Sequence, residues 1–89
     1  MAADLSADFE KAQQDVQTLS KRPDNNDLLA LYAHYKQATV GDVEGKRPGF
    51  TDLKGRAKYD AWAKLDGMDT DQAMRGYVEK VNSLLDADR

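Results

Sequence analysis

Apolar residues recur at helical intervals in four stretches of this chain, and nowhere do they alternate as a half-buried strand requires. Leu5, Phe9, Ala12, Val16 and Leu19 follow i, i+4, i+7, i+11, i+14, one stripe on a first helix that Pro23 is expected to stop. Asp4, Asp8 and Glu10 lie near its start and Lys21 and Arg22 near its end, where each sign suits the helix dipole. Asp24-Asn25-Asn26-Asp27 is a polar turn that supplies an N-cap for a second helix ending near Val40-Gly41. That helix carries more apolar residues than one stripe needs. Leu28, Leu31 and Tyr35 are expected to face the bundle, with Leu29, Tyr32 and Lys36 as a neighbouring row. A third helix sets Ala57, Ala61 and Leu65 on one face with Lys58 and Trp62 beside them, and Gly67 is expected to end it. Asp69 and Gln72 have capping-box spacing ahead of Met74, Tyr77, Val78, Val81, Leu84 and Leu85, the strongest stripe of the four. Gly76 interrupts it at a cost of about 1 kcal/mol relative to alanine, and is expected to mark a close helix contact. Four amphipathic helices imply an all-α four-helix bundle, a class that builds its sites from side chains on facing helices.

Between Gly41 and Asp52 the periodicity vanishes. Gly41, Gly45, Pro48 and Gly49 mark a loop of about a dozen residues, long for a small domain and of a kind that often serves function. Its glycines spell neither a P-loop nor a dinucleotide-binding fingerprint. The 89 residues suffice for one domain, 1–89, because a split would leave two pieces too small to bury a core. Without cysteine there is no disulfide framework and no thiolate metal site. No apolar run is long enough to span a bilayer, and Met1 to Leu5 lack the features of a signal peptide, so a cytoplasmic location is expected. The net charge of −3 argues against a nucleic-acid partner. It hides an asymmetry, however: Lys36 to Lys64 sums to +3, which leaves −6 for the remainder. A basic middle in an acidic chain suggests a local anion site.

The chemistry concentrates in Leu31 to Asp42. Tyr32 and Lys36 share a helix face with Tyr35 one step round, which offers two phenols and an ammonium to a flat ring and a phosphate. Lys54 and Lys58 repeat the i, i+4 spacing, so two ammonium groups can converge on one anion. Tyr77 is a further phenol that packing explains equally well, and Trp62 is expected in the core. His34, the one histidine, has no second imidazole or thiol beside it, so an exterior polar role is expected before a metal or general-base role. No carboxylates form an acid–base pair, and Ser6, Ser20 and Ser83 sit in no nucleophile motif, so no enzyme and no metal are expected. A ligand carrier and a helical module that binds a partner helix both remain open on these residues; an enzyme would lack its nucleophile and base.

Tyr35-Lys36-Gln37-Ala38-Thr39-Val40-Gly41-Asp42, then Arg47-Pro48-Gly49, Lys54-Gly55-Arg56-Ala57-Lys58 and Asp60-Ala61-Trp62 form a far more specific series. From about Phe9 to about Leu85 the chain resembles the acyl-CoA-binding protein family. The resemblance implies an up-down-down-up bundle that holds one medium- to long-chain acyl-CoA in a bowl. It implies that Tyr32, Lys36, Lys58 and Tyr77 hold the adenosine 3'-phosphate part, with Tyr35 and Lys54 also in the site. Ala33 and His34, on the same segment, are counted with these head-group residues, and Phe9, Leu28, Leu29 and Ala57 are implied to line the acyl chain. The protein is accordingly expected to be an intracellular carrier and pool former, monomeric, without cofactor, and with at most transient membrane contact. Three positions depart from the family. Gln17 stands where a base is frequent, Gln13 where a small residue is common, and Tyr59 where a tryptophan is usual. The first two bear on affinity and chain-length preference.

Overall fold

The computed structural model describes residues 5–88. Its helices are α1 (Leu5–Asp15), α2 (Asn25–Thr39), α3 (Leu53–Ala63) and α4 (Thr70–Ala87), with one 3-10 turn, Val16–Thr18, after α1. Among the described residues there is no strand, as the periodicity requires.

The helix starts follow the capping chemistry. The Asp24 carboxylate accepts from the Asp27 N–H at 2.8 Å, and Asp69 and Gln72 complete their capping box at 2.8 and 3.4 Å. Asp52 caps α3 by accepting from the Gly55 N–H at 2.9 Å. Two helix ends differ from expectation. α1 stops at Asp15 instead of running toward Pro23, and Leu19 is extended. Ser20 is drawn to the far end of α4, where its N–H and hydroxyl donate to the Asp88 carboxylate at 3.1 and 2.7 Å. Lys21 and Arg22 therefore lie on a strap between helices and not in a last helical turn. Asp4, expected in the first turn, lies outside the described residues. α3 ends at Ala63, and turns carry the chain to Gly67, whose φ of +88° favours glycine.

Which ends meet decides the helix directions. Phe9 packs on Tyr77 and Ser20 reaches Asp88, so α1 and α4 run parallel. Asp27 pairs with Lys80 and Gln37 reaches Met68, so α2 runs against α4. Leu28 and Leu29 share a hollow with Lys54 and Ala57, while Gln37 meets Trp62, so α2 and α3 run parallel. The result is the up-down-down-up order. Two consecutive parallel helices need a return connection, and residues 40–52 supply one with a reach of about 40 Å against the roughly 16 Å of α3. The topology thus accounts for the loop's length. Arg47 pins the loop to α3 through a bidentate pair with Asp60 at 2.8 and 2.7 Å, and the Tyr59 hydroxyl donates to the Gly45 carbonyl at 3.1 Å.

The core gathers Phe9, Ala12, Leu31, Ala38, Ala73, Tyr77 and Val81 from α1, α2 and α4. Burying a side chain such as Leu31 or Val81 contributes about 1.5–3 kcal/mol. α3 stands outside this core and packs on α2 alone among the helices. The molecule is flat, 42 × 32 × 15 Å, and open on the flanks of the α2–α3 pair. Gly76 does mark a close approach: a Cβ there would collide with the His34 ring.

Candidate functional site

α3 touches only one helix, so the groove between α2 and α3 is left uncovered. There a hollow of about 440 Å³ opens to solvent, within the size range of small-molecule sites. Leu28, Leu29, Leu53 and Ala57 form its apolar surface, and Tyr32 and Asn25 stand beside them. Arg22, Lys54 and Lys58 bring three cations to the lining, and among the described residues no carboxylate lines it. Helical spacing explains the convergence: 28, 29 and 32 share a face of α2, and 54, 57 and 58 share a face of α3. The Lys58 ammonium sits 5.4 Å from the centre of the Tyr32 ring. One turn on, the Lys36 ammonium sits 5.2 Å from the centre of the Trp62 ring. Such contacts hold an ammonium over an aromatic face without neutralising it. Among the described residues none of Arg22, Lys36, Lys54 or Lys58 is in an ion pair.

Beyond Tyr32 on α2, Tyr35 lies 5.9 Å from Phe9 in a stacked arrangement, and Tyr77 meets Phe9 edge-on at 5.1 Å. Tyr35 and Tyr77 are 6.4 Å apart, so three helices contribute to one aromatic cluster. Phe9 and Tyr77 belong to the core at 5% and 6% exposure, whereas Tyr35 is 39% exposed. Burial pushes the Tyr77 phenol up, with a smaller push from Tyr35, so its hydroxyl stays protonated at neutral pH. Leu28, Tyr32 and Tyr35, spaced i, i+4, i+7, thus run along one face of α2 from an apolar, cation-rimmed hollow to a phenol cluster.

The structure brings most of the sequence candidates together. Tyr32, Lys54, Lys58, Leu28, Leu29 and Ala57 share the hollow, with Tyr35, Lys36 and Tyr77 along the neighbouring surface. Leu28 was expected to face the bundle; it lines the hollow instead, because α3 occupies that flank of α2 and Leu31 takes the core position. Phe9 lies in the core and not on the wall of the hollow. Ala33, 2% exposed, and His34 line a second hollow on the other side of Leu29 and Ala57. His34 is half-buried, not exterior: its Nδ1–H donates to the Ala30 carbonyl at 2.8 Å and its ring covers Gly76. Gln13 on α1 and Gln17 on the 3-10 turn after it both turn back along α1, donating to the Phe9 and Gln13 carbonyls at 3.3 and 3.4 Å. Among the described residues no group of three His, Cys, Asp or Glu side chains could hold a metal.

Sequence reasoning missed Arg22, Asn25 and Leu53, all lining the hollow. Arg22 escaped because it was placed at a helix end, although a base just ahead of the Asp24 cap is a usable signal. It also missed the part that Gln37 plays. This side chain is 1% exposed and donates to the Asp42 carboxylate at 2.8 Å and the Met68 carbonyl at 2.9 Å. Its own oxygen accepts from the Trp62 indole at 3.1 Å, and the indole also donates to the Gly41 carbonyl at 2.8 Å. Asp42 in turn accepts from the Gly67 N–H at 2.8 Å. This network ties the end of α2 to α3 and to the start of α4, and it fixes the ring over which Lys36 sits. Trp62 is buried, as expected, but against Gln37 and the end of α2 and not in the cluster that α1, α2 and α4 share.

The family profile described as acyl CoA binding protein matches residues 6–81. An acyl-CoA-binding protein of Brassica napus is 50% identical over 84 residues, spanning 94% of this chain and 91% of that one. An acyl-CoA-binding protein homolog of Manduca sexta is 46% identical over 82 residues, spanning 91% of each. The crystal structure of Oryza sativa acyl-CoA-binding protein 2 superposes with a TM-score of 0.88 at 43% identity, covering 93% of this chain and 90% of that one. Sequence and bundle agree over nearly the whole length, and the chain belongs to the acyl-CoA-binding protein family.

Proposed function

We propose that this protein binds one medium- to long-chain acyl-CoA ester, and that it works as an intracellular carrier and pool former and not as an enzyme. The observation that carries the reading is the α2–α3 hollow, apolar within, lined by three cations with no carboxylate paired to them or lining it among the described residues, and continuous along α2 with a cluster of phenols. Lys36 and Lys58 receive the 3'-phosphate with the Tyr32 and Tyr77 hydroxyls, and Lys54 and Tyr35 complete the head-group site. A phosphomonoester is a dianionic multi-acceptor that ammonium and phenol groups satisfy together. Adenine supplies a flat face for stacking, worth about 1–3 kcal/mol. Leu28, Leu29 and Ala57 take the first methylenes of the chain, and Phe9 backs the phenols from the core. Ala33 and His34 serve from the far side of α2 by holding its position against α4. The whole is one acyl-CoA-binding unit over residues 1–89, monomeric, without cofactor, and cytoplasmic.

Calorimetry with palmitoyl-CoA and with CoA tests the reading. Each methylene withdrawn from water contributes about 0.8 kcal/mol, so a dozen supply roughly 10 kcal/mol before ordering costs. With half of that lost, the ester still binds several orders of magnitude more tightly than CoA. Equal affinities would remove the acyl site. Lys36→Ala and Lys58→Ala should each weaken binding by about 1.5–3 kcal/mol, the worth of a charge-assisted hydrogen bond. The thioester should survive prolonged incubation with purified protein; hydrolysis would argue for an enzyme.

A further inference from the structure

We propose that the turn leading into α3 is a docking surface for anionic lipid bilayers, with Phe50 and Leu53 as the inserting residues. They are the most exposed large apolar side chains described, at 78% and 72%. Nothing about their display is loose. The Gly49 carbonyl accepts from the Asp52 N–H at 2.9 Å, which closes a tight turn with Phe50 and Thr51 at its corners. Asp52 then caps α3, and Leu53 is the first residue of that helix. The loop behind the turn is clamped to α3 by Arg47 on Asp60 and by Tyr59 on Gly45. The two apolar side chains therefore project from a built corner of the molecule.

The chemistry around them selects the partner. Leu53 lies on the lining of the hollow with Arg22, Lys54 and Lys58, and Lys46 is a further exposed base in the same loop. None of these four cations is in an ion pair among the described residues. The nearest acids in sequence are Asp52, turned to the N–H of Gly55, and Glu44, exposed two residues before Lys46, so the four bases outnumber the acids beside the tip. An apolar tip flanked by bases is the pattern of a surface that dips into the acyl boundary while its charges stay among anionic headgroups. A protein partner fits less well. Two side chains fall far short of the roughly 800 Å² per partner that a stable protein interface buries. Because the tip adjoins the opening of the hollow, docking sets that opening against the bilayer. The docking itself does not depend on what the hollow carries; its use in delivering an acyl chain rests on the proposed function.

The test is co-sedimentation of the full, ligand-free chain with phosphatidylcholine vesicles, with or without phosphatidylserine. Binding is expected to the anionic vesicles, to weaken with added salt, and to fall by about tenfold or more in Phe50→Ser. Phe50 lines neither of the two hollows described above, so the same variant should keep its palmitoyl-CoA affinity in solution, which separates failure of docking from failure of the ligand reading. Vesicle binding unaltered in Phe50→Ser, or equal binding to neutral and anionic vesicles, overturns the proposal. So does sedimentation showing that Phe50 holds a dimer in solution while the vesicles stay bare.

Discussion

Replacing Gln37 with leucine tests whether the most specific segment of the chain serves the fold before it serves a ligand. The side chain is 1% exposed and makes three hydrogen bonds, to Asp42, to Met68 and from Trp62. Leucine is close in volume and removes all three. The indole keeps the Gly41 carbonyl at 2.8 Å and Asp42 keeps the Gly67 N–H at 2.8 Å, so neither is stranded. The two neutral bonds contribute about 1 kcal/mol each and the one to a carboxylate somewhat more, less whatever the exposed carboxylate regains from water. Burial of the new apolar side chain returns about 1–2 kcal/mol. The expected net loss is about 2 kcal/mol, or roughly 8–16 °C in melting temperature for a chain of this length. Urea unfolding followed by the emission of Trp62, the one tryptophan, reads it directly. Gln14→Leu, on an exposed face of α1, is the control and should stay within about 0.5 kcal/mol. If Gln37→Leu is as mild as its control, the network does not hold the three helices together and the reasoning fails.

Further outcomes follow from the same geometry. The Asp42 carboxyl is held below the usual carboxylate range, first by the Gly67 N–H and then by the Gln37 amide. Its stabilisation is complete above about pH 4 and is lost as pH falls through the lower folded value. Asp42→Asn should therefore be less stable than wild type at neutral pH, with the difference shrinking in acid denaturation curves; a constant difference would refute the linkage. Gly76→Val places a branched side chain where the His34 ring sits, and should cost about 1–3 kcal/mol in thermal melts. Asp69→Ala removes the capping box of α4 and should cost about 1 kcal/mol, with earlier amide exchange confined to the first turn of that helix. Arg47→Ala should speed amide exchange across residues 40–52 while α4 exchanges as before, because the loop loses its bidentate tie to Asp60.

What the chain determined by itself is whatever one helix can report about its own surroundings. The stripe through Met74, Tyr77, Val78 and Val81, the caps at Asp24 and Asp69, the closeness implied by Gly76 and the burial of Trp62 are local consequences of periodicity, capping and size. Two ammonium groups four residues apart on α3 were likewise bound to share a face. The tertiary structure decided which faces meet. It cut α1 short by holding Ser20 at Asp88, 68 positions away, and so released Arg22 to the hollow. It set α2 and α3 parallel, which made a long loop obligatory and left Leu28 facing the groove and not the core. It also turned Gln37, an unremarkable polar residue in a helix, into the buried link between α2, α3 and the start of α4. Periodicity records only that a side chain turns away from water. Its partner depends on how distant segments dock, and that information resides in no short stretch of the chain.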